Sequence, residues 1–438
     1  MFKKVLPLSA ILSLRFLGLF LVLPVISIYA LDLEGSTPLL VGIVVGGYAL
    51  TQAIFQVPFG TMSDKIGRKP TLLVGLIIFL IGSIICAYST DIYTLMFGRF
   101  LQGAGAIGAV ITAMISDLVP EEVRGKAMAI MGGTIALSFA IAMGLGPVLG
   151  ANYGLDFLFM VTAVLAILAM ILLFTKVPTP PTIKHTYHAT TRTSDIIKDP
   201  NLLNMIVINA MQKGLMTVAF VIIPIILTST DFAWETSDLY MAYLPAMIFG
   251  LVAMGPAAVF GEKHNKPKEI FLLSIVLFIG AFLIMGLTTS STIFITGVVM
   301  FFIAFNMMEP LVQSMITKFA KVHQKGAALG ISNSVAYFAT FIGGTTAGLM
   351  LGISDRETIG LSIAVIATLW LLWTLKLKNP TKHSFLYLAQ DSVDTAKLRN
   401  LEEKHIAEWY INDSEKIIII KYVTGAIEEE DLKAKISK

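Results

Sequence analysis

The stretch GTMSDKIGRKP, Gly60 to Pro70, sets Asp64, Lys65, Arg68 and Lys69 between two long apolar runs. Gly60, Gly67 and Pro70 frame those charges. The runs on either side, Leu39–Thr61 and Thr71–Ser89, are each about the 20 residues a helix needs to cross a bilayer. Outward from there the pattern repeats: Val5–Leu31, Ile92–Ser116, Ala127–Ala151, Leu155–Phe174, Leu202–Leu227, Leu239–Phe260, Ile270–Leu287, Ile293–Thr317, Ala327–Leu351 and Ile359–Leu375. Twelve such runs in 438 residues, with 56% of residues hydrophobic and 14% charged, describe an all-α membrane protein. A soluble domain carries about 25% charged residues. The first run follows Lys3-Lys4 but is too long for a secretory signal, so it is read as an uncleaved first span.

The basic residues are not scattered. They gather at the N-terminus and in every second connection: Lys65, Arg68 and Lys69; Arg124 and Lys126; Lys184, Arg192 and Lys198; Lys263, Lys266 and Lys268; Lys318, Lys321 and Lys325. Intervening loops such as LDLEGST and TSTDFAWETSD are acidic or neutral, with Arg356 the exception. By the positive-inside rule both termini are cytoplasmic, and the chain is expected in a cell (inner) membrane. The single cysteine, Cys86, lies in the third span, which excludes a disulfide framework and a thiol metal site.

The chain also repeats itself. FLVLP at Phe20–Pro24 returns as FVIIP at Phe220–Pro224, and ISDLVPEEVRGKAM from Ile115 aligns with ITKFAKVHQKGAAL from Ile316. Glu262-Lys263 and Pro267 answer Asp64-Lys65 and Pro70. The offset stays near 200 residues, so two six-helix halves are expected, residues 1–176 and 199–378, joined by a polar cytoplasmic linker, 177–198. Paired halves with substrate between them are typical of secondary transporters.

At these residues the chain resembles the major facilitator superfamily. Gly60-x-x-x-Asp64-Lys65-x-Gly67-Arg68-Lys69 matches its loop motif between helices two and three. RFLQGAGAIGA, with Arg99, Gln102, Gly103 and Gly105, resembles its fourth-helix motif. GLGPVLGA resembles part of the fifth-helix antiporter motif, with Ala151 where a second glycine is usual. Together with SLRFLGLFLVLPVI and FNMMEPL, this is similar to the YajR-type branch of drug–proton antiporters, which carries a small cytosolic domain at its C-terminus. The resemblance implies a cytoplasmic latch in which Asp64 and Arg68 pair with each other and with Asp117, remote from the substrate. Gly60 would allow a close helix approach and Gly67 a turn with positive φ.

Four charges fall inside spans: Arg15, Arg99, Lys213 and Glu309. Each costs about 2.5–3.5 kcal/mol at a helix centre, so none is expected to face lipid. They lie on spans one, four, seven and ten, the set that lines the central cavity in the family. Glu309 is the one carboxylate clearly inside a span and the first candidate for proton coupling; Asp32, at the outer end of span one, is the second. No histidine stands in a span. Tyr48, Gln52 and Gln56 share a face of span two, Asn209 and Lys213 one of span seven, and Asn306, Glu309 and Gln313 one of span ten. A large apolar cavity with few polar anchors suits a lipophilic substrate. Gly103–Gly108 fits G-x-G-x-x-G but sits in a span, so it is read as helix packing rather than a dinucleotide site. GGTTAG near Gly344 is read the same way, and His185-x-x-His188 is not read as a zinc site.

After Lys378 the composition changes. SFLYLA, AEWYIN and KIIIIKYV read as strands, and DSVDTAKLRNLEEKH and EEEDLKAKIS as helices. The order β-α-β-β-α fits a small α+β ferredoxin-like unit over 379–438. The whole reads as a proton-coupled exporter of small lipophilic compounds, with a small molecule, protons and lipid as partners and no nucleic acid. No cofactor or metal is expected, no enzymatic activity, and a monomer. The alternatives are a metabolite facilitator or symporter with the same fold, its anionic substrate on Arg15, Arg99 or Lys213, and a sensor signalling through the tail.

Overall fold

The computed structural model describes residues 2–178, 193–321, 324–381, 383–395, 397–398, 406–412, 415–424 and 427–436. Most of the expected linker, 177–198, and of the helix expected between the first two tail strands lies outside them. Among the described residues eleven helical stretches are long and apolar enough to cross a membrane. One of them, Glu121–Thr175, has 55 residues, roughly 80 Å if straight and far beyond a bilayer. It is interrupted at Gly154, whose φ of 85° an L side chain resists, and so forms two spans joined by one residue. That makes twelve, in agreement with the sequence reading.

In chain order the helices are α1 (Phe2–Leu21), α2 (Ile26–Leu31), α3 (Pro38–Ile66), α4 (Arg68–Ala87), α5 (Ile92–Ala104), α6 (Gly108–Leu118) and α7 (Glu121–Thr175). The second half has α8 (Thr193–Lys198), α9 (Pro200–Thr228), α10 (Tyr240–Ala258), α11 (Pro267–Leu287), α12 (Ser291–Phe319), α13 (Lys325–Ile353) and α14 (Arg356–Thr374). Several begin on a side-chain cap, among them Thr37, Asp91, Asp199 and Asp355, each accepting from backbone N–H groups of the first turn. The repeated proline acts differently in each half. Pro24 lies in the turn that separates α1 from α2, whereas Pro224 stays inside α9. The fourth span is broken: α5 ends at Ala104, and Gly105–Ile107 link it irregularly to α6.

Apolar residues face outward as well as inward. Ile77, Ile81 and Ile84 are exposed along one side of α4, as are Leu361, Val365, Leu369 and Leu372 on α14. Such stripes suit lipid contact. The halves meet chiefly through α3 and α13 near the end of the bundle opposite the termini. There Gly42 and Gly46 lie against Gly344, Gly348 and the backbone of Thr340 and Phe341, so closely that a Cβ on Gly42 would overlap the Gly344 carbonyl. The GGTTAG glycines therefore pack as expected, Gly344 and Gly348 across the two halves and Gly343 on Gly214 within its own half. Toward the end that carries the termini, Gly60, Gly108, Gly125, Gly132, Gly326 and Gly330 face open space. The close approach expected at Gly60 is not made.

The tail folds as an antiparallel sheet of order β1-β3-β2, from β1 (His383–Ala389), β2 (Ile406–Asn412) and β3 (Ile417–Val423), followed by α15 (Glu429–Ile436). β3 is central, which explains its unbroken run of isoleucines: Ile418, Ile419 and Ile420 are all buried. Ile418 and Ile420 pack with Leu386, Leu398, Leu432 and Ile436 in a core separate from that of the bundle.

Candidate functional site

In the first half, Arg15 and Arg99 are both 0% exposed. Arg99, on α5, is fully held: Nε donates to Val44 O (3.2 Å), Nη2 to Val45 O (3.3 Å) and Nη1 to Gln102 Oε1 (2.8 Å). Its guanidinium lies 4.7 Å from the centre of the Tyr48 ring. Gln102 Nε2 donates in turn to Ser83 Oγ (2.9 Å). Arg15, on α1, donates only through Nη2, to Gln52 Oε1 (3.2 Å) and the Gln102 carbonyl (3.4 Å). Tyr337 of α13 packs against the cluster around Tyr48 and Phe79 and so brings the second half to this site.

In the second half, Lys213 and Glu309 come together, with Nζ 2.9 Å from Oε1 and 2.8 Å from Oε2. Gln212 Nε2 adds a third contact to Glu309 Oε2 (3.0 Å), and Phe305 lies under the Lys213 ammonium at 4.8 Å. The pair is only partly buried, the two side chains being 25% and 38% exposed. Around it Asn333 accepts from both Asn209 (3.4 Å) and Gln313 (3.1 Å), while Asn209 also donates to Ser332 Oγ (3.0 Å). Asn306 Nδ2 bonds back to Phe302 O (2.9 Å) in its own helix. Asp32, at the end of α2, is exposed and stands apart from both clusters.

The opening stretch closes on Arg68. Its Nε donates to Asp117 Oδ2 (2.9 Å), and Nη1 donates to Asp64 Oδ1 (2.6 Å) and Ser63 Oγ (2.6 Å). Asp117 is 6% exposed and Asp64 63%, so the contact to α6 is the buried member. Gly67, at φ 99°, makes the turn that brings Arg68 back. All of these residues belong to the first half. The second half has a counterpart with the signs exchanged: Glu262, answering Asp64, bonds Lys318, which answers Asp117, and accepts from Ser314.

The tail docks on the same end of the bundle. Glu415 accepts from Arg124 Nη2 (2.9 Å) and from the Glu121 backbone N–H (3.1 Å), at the start of α7. Asn412 Nδ2 (2.8 Å) and the Tyr410 hydroxyl donate to the Glu121 carboxylate. On the other half, Lys421 Nζ reaches Lys318 O (3.5 Å), and Lys325 Nζ lies 4.7 Å from the Phe385 ring centre. Burial in this junction, with Glu121 and Glu122 nearby, raises the Tyr387 phenol above its ordinary range.

The structure brings together Asp64, Arg68 and Asp117, and Lys213 with Glu309, all named from the sequence, but sequence reasoning missed several of their partners. Gln212 and Ser63 carried a signal, each a polar residue beside a singled-out charge. Tyr337 and the tail contacts had none, because nothing local marks an aromatic ring in a span or a partner nearly 300 residues away.

The fold is shared with known proteins. The profile of the Major Facilitator Superfamily matches residues 8–344 and 216–420. The chain is 35% identical over 427 residues to the inner membrane transport protein YajR of Escherichia coli (strain K12), covering 94% of this chain and 92% of that one. It is 26% identical to the quinolone resistance protein NorA of Staphylococcus aureus (strain MSSA476), over 83% of this chain and 94% of NorA. The crystal structure of a D-xylose–proton symporter shares the fold, with a TM-score of 0.70 at 14% identity over 86% of this chain and 98% of that one. Twelve spans, the Arg68-centred turn, the buried Arg99 and these likenesses together mean that the chain belongs to the major facilitator superfamily, as a membrane transporter of the YajR type.

Proposed function

We propose that this transporter exports small lipophilic compounds by alternating access, coupled to protons through Glu309. The observation that carries the reading is the Lys213–Glu309 pair. It is the ion pair that joins spans seven and ten at mid-length, and it is accessible enough to exchange a proton. A carboxylate held by an ammonium can be released from it by protonation, which gives the helices that carry the pair two electrostatic states. With both termini cytoplasmic, as the loop charges indicate, the glycine seam between α3 and α13 lies at the outer end. The likeness to NorA supports efflux over uptake.

The latch of Gly60, Asp64, Gly67, Arg68, Lys69 and Asp117 would act at a distance, by setting how the first half meets its surroundings at the cytoplasmic face. Ser63 joins it. Transport by purified protein in proteoliposomes under an imposed pH gradient tests the coupling. Glu309→Gln should abolish gradient-driven flux of a lipophilic dye while leaving counterflow exchange. Gradient-driven flux equal to wild type would sink the reading.

A further inference from the structure

The structure separates two arginines that the sequence could not tell apart. Arg99 has every side-chain nitrogen engaged and ties α5 to α3. Arg15 is equally buried, yet its Nε and both hydrogens of Nη1 meet no acceptor. Gln52, whose Oε1 accepts from Arg15, leaves its Nε2 without a partner as well. Among the described residues no carboxylate pairs with Arg15, and Glu309 is already engaged by Lys213. The cluster therefore carries a positive charge and free donors but no carboxylate, and leaving such a group buried and unmet is costly. Its surroundings are aromatic. The Phe16 and Phe79 rings lie 5.7 and 5.2 Å from the guanidinium carbon, and ring contacts continue from Phe16 to Phe20 (5.3 Å), Phe139 (4.8 Å) and Phe305 (6.2 Å) into the second half.

We propose that Arg15 and Gln52 anchor the carboxylate of a lipophilic aromatic acid, which is the substrate class of this transporter; the proposal rests on the transport reading above. A carboxylate matches the fixed fork of a guanidinium better than any neutral acceptor does. Lys213 does not compete for it, being neutralised by Glu309. The flat apolar body would lie along the phenylalanines between the halves, with Tyr337 closing the site from α13.

Equilibrium dialysis of detergent-purified protein against matched pairs tests this: naphthoate with naphthamide, naphthaleneacetate with naphthaleneacetamide, and anthracenecarboxylate with its carboxamide, at neutral pH where the acids are ionised. At least one acid should bind about tenfold tighter than its amide, the difference expected when a charge-assisted contact replaces a neutral one. Arg15→Gln should bring that ratio to about one while changing amide binding little, and Arg15→Lys should keep only part of the preference. Ratios near one for all wild-type pairs, or an acid preference that survives Arg15→Gln in protein with wild-type elution and melting, would overturn the proposal. If Arg15→Gln does not fold, the wild-type ratio and its fall in Arg15→Lys decide. The measurement uses no gradient, so failure of proton-driven flux would refute the coupling and leave this site standing.

Discussion

The two ends of the helix bundle are joined in opposite ways. Away from the termini, the halves touch backbone to backbone, glycine on glycine, along α3 and α13. At the end with the termini, glycines face open space, and the contacts are charged side chains and a docked domain. A backbone seam has one fit and fails when it separates by little more than an ångström. Long polar side chains can keep a contact while their supports move. The first kind of joint suits a closed gate and the second a hinge that must travel.

The sharpest way to break this comparison is to fill the seam. Gly42→Leu places a side chain where the Gly344 carbonyl lies, and overpacking costs about 1–3 kcal/mol or more. The seam should open, and a cysteine replacing Ser27, buried beside it between α2 and α9 against Phe220 O, should become reactive to a membrane-impermeant maleimide. Gly60→Leu, in open space, should leave that cysteine protected. Equal reactivity in both variants would erase the distinction between the ends.

A comparable effect is expected within the charged turn. Asp117→Asn breaks the buried contact to Arg68 and should lower stability by about 3 kcal/mol, the low end for a buried pair. Asp64→Asn, at a mostly exposed carboxylate, should cost about 0–1 kcal/mol. Thermal melting of the two variants gives the ranking, and a reversed order would mean that the exposed acid governs the turn.

Glu415→Arg sets like charges against Arg124 and should loosen the tail by about 1–2 kcal/mol, between the limits for exposed and buried pairs. Faster protease cleavage near Lys378 would register it. The smallest effect is one of pH. Burial depresses the Lys421 ammonium below its ordinary 10.5, with Glu408 partly opposing. The unfolded tail therefore binds more protons than the folded one between that depressed value and 10.5. Tail stability should rise with pH in this window, measured up to about pH 9.5, below the range where Tyr387 works in the other direction. Lys421→Met should flatten the slope.

Much of this was legible from residues alone. Span lengths and alternating loop charge need no tertiary knowledge, and they delivered the twelve helices. The acid at Asp64, in a loop whose topology favours bases, suggested a fixed partner, and it was the family resemblance that named Arg68 and Asp117. The tail strands announced themselves through Ile417–Ile420. What stayed hidden depends on which surfaces meet. Gly60 looked like a contact glycine and is not one; Gly42 gave no sign that it would lie on Gly344. Arg15 and Arg99 carry the same charge at similar depth, and only the acceptors that Arg99 meets, Val44 O, Val45 O and Gln102 Oε1, tell them apart.

The single-residue turn at Gly154 has its consequence before transport begins. Two apolar spans with no loop between them cannot enter a membrane one after the other as separate units. They are expected to insert as one hairpin, with Gly154 at its tip and at a φ of 85° that an alanine would resist. A substitution there should reduce the amount of protein that reaches the membrane and leave the turnover of each inserted molecule nearly unchanged. Gly154 belongs to the making of the protein rather than to its working.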